Sequence, residues 1–377
     1  MRKTISYICL LFFCAMSCLC PAFAGMKSNT SPFSANDYQR VALTDLSALE
    51  NSPDTNGAES GTKGTVLQGN ASRTVDISQV EATSNSEEAR ATALPIYEWY
   101  CKSVHPKAAV ILVHGLFQHG ESLAPIGKHL ASIGYLAISI DQRGHGFWHF
   151  KNGSREPGYS IDYQQTIEDV KTVARLLREE HPYLPIFCLG ESAGAAIAAR
   201  AAVEGPGLFD GLILCAFATK PRALRLVWTI EDVAVNMFDW DRDIQMTRYL
   251  RRFTSEDKRT TLETMNDPMC RKGISLKELL GTVRFMKKTS HVAKHLSPNM
   301  PLLMVEGEDD QVLSPKSSAK FLAHSRCLFK SLVLIPHCGH VLVSTNYIKP
   351  QVLTSIDQWL NTHASGQFST SAVVAAK

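Results

Sequence analysis

The segment Gly190-Glu191-Ser192-Ala193-Gly194 lies between the apolar run Pro185-Ile186-Phe187-Cys188-Leu189 and the small-residue stretch Ala195-Ala196-Ile197-Ala198-Ala199. This order reads as a strand, a G-x-S-x-G turn and a helix, the context in which the motif carries meaning. Flanking glycines let strand and helix approach closely and let the serine adopt a strained backbone while its hydroxyl stands clear. Ser192 is therefore the candidate nucleophile.

A serine hydroxyl is a poor nucleophile at neutral pH, so it needs an imidazole to take its proton and a carboxylate to hold that imidazole in one tautomer. Both types follow in the chain. The run from Pro301 to Val312 reads as a buried strand ending in an acidic turn, and Ser331 to Pro336 is a second apolar run that delivers His337-Cys338-Gly339-His340. His340 is assigned as the base and Asp310 as the carboxylate, with His337, Asp309, Glu306 and Glu308 as nearby competitors. Upstream, the strand Ala108 to Val113 runs into His114-Gly115-Leu116-Phe117-Gln118-His119-Gly120. The backbone N–H groups of Leu116 and Ala193 are the expected donors to an oxyanion. The order Ser, Asp, His is that of an α/β-hydrolase triad.

With these blocks and Asp141-Gln142-Arg143-Gly144-His145-Gly146 in sequence order, residues 95 to 363 resemble the monoacylglycerol lipase, lysophospholipase and serine-aminopeptidase-like branch of the α/β-hydrolases. The resemblance places the catalytic acid on Asp310 of Gly307-x-x-Asp310, and the base on His340 of Gly339-His340. It implies esterase activity on lipid or other small carboxylic esters, without a cofactor, and such a substrate is compatible with transient contact at a membrane surface. Peptidase or acyltransferase chemistry through the same acyl-enzyme, and an inactive binding module, are the alternatives. The chain departs from the pattern in three places. Phe117 stands where a second glycine is common in the oxyanion loop, Phe147 where serine usually follows R-G-H-G, and Glu191 and Ala193 flank the serine where G-H-S-M-G is common.

The alternation of apolar runs with helix-like periods predicts a mostly parallel sheet flanked by helices, and the resemblance implies that this α/β architecture is the α/β-hydrolase fold. Tyr135 to Ile140 reads as a strand, Ile167, Val170, Ala174 and Leu177 as one face of a helix ending near His181-Pro182, and Leu212 to Cys215 as the strand after the nucleophile helix. Residues 219–298 interrupt the alternation within the expected hydrolase domain, 93–363, where the family places a helical cap. Leu224, Val227, Trp228 and Phe238 mark one helical stretch; Leu276, Leu279, Leu280, Val283 and Met286 mark another. They are read as lining an acyl-chain tunnel or packing the cap on the core.

The ends read differently. Arg2 and Lys3 precede the apolar run Ile5 to Cys20, and Pro21-Ala22-Phe23-Ala24 supplies the small residues that signal peptidase reads. Residues 1–24 are thus expected to be a signal peptide and the protein to be exported. An anchored form is the alternative, because Ala15-Met16-Ser17-Cys18 loosely resembles a lipoprotein cleavage site. Residues 25–92, rich in small polar residues, are expected to be a flexible linker, and 364–377 a frayed tail.

A net charge of +3, with basic residues scattered among acids, gives no basic stripe for nucleic acid. The six cysteines from Cys101 onward permit disulfides, but no bridge is assigned. No metal site is expected, because no metal-ligand spacing is evident and His114 and His119, like His337 and His340, lack a nearby third ligand.

Overall fold

The computed structural model describes residues 73–74, 94–101, 103–150, 160–217, 219, 243–253 and 255–364. The expected signal peptide, nearly all of the expected linker and the cap stretch containing Leu224, Val227, Trp228 and Phe238 lie outside the described residues. So does the tail beyond Ala364.

The strands in chain order are β1 (Arg73–Thr74), β2 (Ile96–Trp99), β3 (Ala109–Val113), β4 (Leu136–Ile140), β5 (Ile186–Glu191), β6 (Gly211–Cys215), β7 (Asp243–Gln245), β8 (Gly273–Ser275), β9 (Leu302–Gly307) and β10 (Lys330–Ile335). Eight of them form one sheet in the order β1-β2-β4-β3-β5-β6-β9-β10. All neighbours from β4 to β10 pair in parallel, whereas β2 joins β4, and β1 joins β2, antiparallel. β1 falls within the stretch read as linker.

Strands covered on both faces read as continuous apolar runs, and every residue of β3, β4 and β6 is buried. Alternate side chains enter different layers. Ile111 and Val113 pack with α2 (Tyr163–Glu180) and α3 (Ala193–Glu204) on one face. Val110 and Leu112 pack with α1 (Ala124–Ser132) and α8 (Pro350–Ala364) on the other. The start of α2 is fixed by Asp162, whose carboxylate accepts the Gln165 N–H at 2.9 Å, and His181 ends it as the sequence suggests.

Register then decides where chemistry can collect. Val113 lies opposite Gly190, Glu191 opposite Cys215, and Ile335 opposite Gly307, so the loops after β3, β5, β9 and β10 leave from the same edge of the sheet. In open parallel sheets this carboxyl edge is where ligands bind.

Between β6 and β9, the short antiparallel pair β7–β8 accompanies α4 (Thr247–Phe253), α5 (Lys258–Asn266) and α6 (Leu276–Thr289). A capping box starts α6: Ser275 Oγ accepts the Glu278 N–H at 3.2 Å, and Glu278 Oε2 accepts the Ser275 N–H at 3.1 Å. Leu276, at one end of α6, packs with Phe117, Ile244, Met246, Tyr249, Leu250 and Ile274. Met286, near the other end, joins the main core. These two side chains serve packing. The helix α7 (Pro315–His324) covers β9 and β10.

Candidate active site

Ser192 sits between β5 and α3 with φ 57° and ψ −116°, a left-handed backbone that a non-glycine residue adopts only under constraint. The constraint is visible on both sides. A Cβ on Gly190 would lie 2.4 Å from the Gly194 carbonyl oxygen, and one on Gly194 would lie 2.1 Å from the Val113 carbonyl oxygen. The two glycines let α3 pass against β3 and β5, and the Ser192 N–H is held by the Cys215 carbonyl at 2.9 Å.

His340 and Asp310 arrive from the loops after β10 and β9. His340 Nε2 is 2.8 Å from Ser192 Oγ, and His340 Nδ1 is 2.8 Å from Asp310 Oδ2. The other carboxylate oxygen of Asp310 accepts the N–H groups of Val312 at 2.7 Å and Leu313 at 2.9 Å, so its rotamer is fixed. Burial alone would depress the His340 pKa. The adjacent Asp310 charge and hydrogen bond, with Glu191 adding, outweigh it and raise the value above the ordinary 6.5.

None of the sequence competitors reaches the serine. His337 is 91 % exposed and its ring faces the exposed Asp309 at 3.8 Å. Glu308 is exposed, and Glu306 is buried below the site, where it accepts the Phe217 N–H at 3.0 Å and burial pushes its pKa well up.

Leu116 lies in the loop after β3 and Ala193 is the first residue of α3, and the N–H of neither has a backbone acceptor among the described residues. Phe117 adopts φ 73°, the conformation for which the more usual glycine is suited, and its buried ring inserts into the apolar cluster under the cap. The departure from glycine therefore has a structural counterpart: strain in the loop accompanies burial of an aromatic ring against the cap.

Around this site His114 and His145 act as braces. His114 is fully buried, its Nε2 accepts the Gln142 N–H at 3.0 Å, and its Nδ1 lies 2.8 Å from the Gly115 carbonyl. Those partners fix the proton on Nδ1, and burial holds the pKa down to about 3. Burial also keeps His145 neutral at ordinary pH. Asp141 accepts the N–H groups of Gly120 at 2.7 Å and Phe147 at 2.8 Å, tying the oxyanion loop to its neighbour. Arg143 pairs with Asp169 through two hydrogen bonds of 2.6 and 3.0 Å, an ion pair that serves structure.

Glu191, Gln118 and Ser344 were not singled out as functional by sequence. Glu191 Oε1 accepts the N–H groups of Leu342 at 2.6 Å and Val343 at 2.9 Å, two and three residues after His340, and Oε2 accepts the Ser344 hydroxyl. Ser344 accepts from the Gln118 amide, whose oxygen accepts the Gly115 N–H at 3.1 Å. One buried carboxylate thus connects the nucleophile turn, the histidine loop and the oxyanion loop. The available signal was a glutamate ending an otherwise apolar strand, because a buried carboxylate requires partners.

Two further expectations meet the structure here. The cysteines Cys101, Cys188, Cys215, Cys270, Cys327 and Cys338 are free thiols. The reading that His119 lacks further ligand-type neighbours is corrected: folding brings Asp267 and Cys270 to it, which spacing along the chain does not show. A cleft of about 510 Å³ opens beside the histidine loop between Cys338, Val341, Leu342 and the segment 255–258, but Ser192 does not line it.

Comparison with known proteins places this geometry in context. Residues 104–345 match the family described as serine aminopeptidase, S33. The chain is 24% identical over 276 residues to a monkeypox virus monoglyceride lipase homolog, covering 70% of this chain and 94% of that protein. It is 25% identical over 270 residues to human monoglyceride lipase, covering 70% and 84%. Among solved structures, a soluble variant of monoglyceride lipase from Saccharomyces cerevisiae aligns with a TM-score of 0.58 at 20% identity, covering 72% of this chain and 92% of that one. A match across most of the chain, carried on a parallel sheet with the strained serine turn at its carboxyl edge, means that the protein belongs to the serine aminopeptidase, S33, family, on the monoacylglycerol lipase branch of the α/β-hydrolases.

Proposed function

We propose that the protein is a serine hydrolase that cleaves carboxylic esters of the monoacylglycerol or lysophospholipid kind through Ser192, His340 and Asp310. The observation that carries this reading is the continuous contact from Asp310 through His340 to Ser192, with both links at 2.8 Å. As Ser192 Oγ attacks the ester carbonyl carbon, His340 Nε2 takes its proton and Asp310 stabilises the imidazolium. The N–H groups of Leu116 and Ala193 receive the charge that develops on the carbonyl oxygen. His340 then gives its proton to the departing alkoxide. Water attacks the acyl-serine with the same histidine as base, releasing the acid and restoring Ser192.

Support for an apolar acyl group comes from the oxyanion loop itself. Gly115 lies against Ser192, and the next residues, Leu116 and Phe117, pack into the apolar cluster beneath the cap. A panel of p-nitrophenyl esters from acetyl to palmitoyl, with monoacylglycerols, lysophosphatidylcholine and aminoacyl p-nitroanilides, tests the reading. Monoacylglycerol hydrolysis should exceed anilide hydrolysis by at least about 100-fold in kcat/KM, around 2.7 kcal/mol in transition-state stabilisation. Faster turnover of the anilides would assign the site to amide substrates, and hydrolysis of neither would overturn it.

The raised pKa of His340 sets the direction of the pH dependence. The base works only when neutral, so kcat/KM should rise with pH along one ionisation whose midpoint lies above the ordinary histidine value of 6.5. A pH–rate profile with chemistry limiting checks this, and a flat profile between pH 5 and 8 would contradict a histidine base.

A further inference from the structure

His119, Asp267 and Cys270 meet where the loop after β3 touches the turn after α5. His119 Nε2 is 2.8 Å from Asp267 Oδ2, and the ligand-type atoms of the three residues all lie within 4.8 Å of one another. His119 and Cys270 are only 3 % and 2 % exposed, which separates the cluster from a solvated acidic patch. Asp267 and Cys270 share one tight turn. Asp267 Oδ1 accepts the Met269 N–H at 2.8 Å, and the Cys270 N–H reaches the Asp267 carbonyl at 3.4 Å. Two ligand types three residues apart on a turn, joined by a distant histidine, repeat the arithmetic of zinc sites built on C-x₂₋₄-C pairs.

The donor set selects the cation class. Nitrogen from imidazole, oxygen from carboxylate and sulfur from thiolate suit Zn²⁺, whereas Mg²⁺ and Ca²⁺ prefer oxygen alone. Zinc donors lie about 2.0–2.3 Å from the ion, which spaces tetrahedral ligand atoms by roughly 3.3–3.8 Å. The His119–Asp267 contact therefore opens by about 0.5 Å and the longer edges close by on the order of 1 Å. The Glu121 and Asp141 carboxylates add negative field at His119, and the nearby Lys272 ammonium is tied to the carbonyl oxygens of Thr264 and Asp267.

We propose that His119, Asp267 and Cys270 form a binding site for a zinc-class divalent cation, with water as the fourth ligand, which clamps the oxyanion-side loop to the cap segment. On binding, the Cys270 thiol loses its proton to solvent and the sulfur forms a bond to the metal; no electron transfer is involved.

The test uses the full chain, reduced and freed of metal by chelation, and does not depend on the proposed ester hydrolysis. Equilibrium dialysis should show one high-affinity equivalent of Zn²⁺, and Co²⁺ in its place should give thiolate-to-cobalt charge-transfer absorption. Cys270→Ser should abolish that absorption. Cys270→Ser and Asp267→Asn should each weaken Zn²⁺ binding at least about ten-fold, a loss that even outer-shell changes at zinc sites can cause. Circular dichroism establishes that the variants are folded, and if Cys270→Ser is not, Asp267→Asn at its partly exposed position decides alone. Absence of stoichiometric binding by the wild type overturns the proposal. So does unchanged affinity in a folded variant, which would put the metal elsewhere.

Discussion

Replacing Ser192 with alanine is expected to lower kcat by about 10⁴ to 10⁶, equivalent to about 5 to 8 kcal/mol, while leaving the fold intact. The fold should survive because the Ser192 hydroxyl has its hydrogen bond to His340, whereas the strained turn is held by backbone contacts and by the close approach of Gly190 and Gly194. An alanine occupies the same left-handed backbone at a similar cost. Thermal unfolding should therefore change little, and labelling by a fluorophosphonate should disappear. Ester turnover near the wild-type rate by a folded Ser192→Ala protein would remove Ser192 from the mechanism.

Asp310→Asn is expected to lose about 10⁴ in kcat, and Asp309→Asn less than about three-fold. The difference arises from one hydrogen bond. An asparagine at 310 can still accept the Val312 and Leu313 N–H groups through its oxygen, but this turns its NH₂ toward His340 Nδ1. The amide then donates where the carboxylate accepted, so the imidazole carries its proton on Nε2 and has no lone pair for the Ser192 hydroxyl. Asp309 is exposed and faces only the exposed ring of His337, so its charge has no route to the serine. Steady-state kinetics of the two variants decide the matter, and a larger loss at 309 would move the acid by one residue.

The nucleophile turn was legible because its chemistry is local. Two glycines, a serine, a five-residue apolar run and a helix of small residues all fall within one stretch of chain; Gly190 answers a local demand, the close approach of Gly194 and Ala195, and Gly194 answers that of the Val113 carbonyl on β3. The interior parallel strands were legible because burial on both faces turns them into largely continuous apolar runs. β2 carries Tyr97 and Glu98 among four residues at the antiparallel side of the sheet, so it gives no such signal. The pair β7–β8, three residues each, is too short to show a period.

By itself, the sequence determined the fold class and the serine turn, together with the order in which carboxylate and imidazole follow it, since apolar runs and the G-x-S-x-G spacing are written in consecutive residues. Which carboxylate reaches His340, and that His337 does not reach Ser192, was decided by the register that aligns the ends of β5, β9 and β10 at one sheet edge. The same holds for Glu191 binding the loop at Leu342 and Val343, and for His119 meeting Asp267 and Cys270 across 148 or more positions of chain. Hydrogen bonds and ligand clusters act over about 3 to 5 Å of space whatever their separation in sequence, so only the packed chain shows which polar groups become partners.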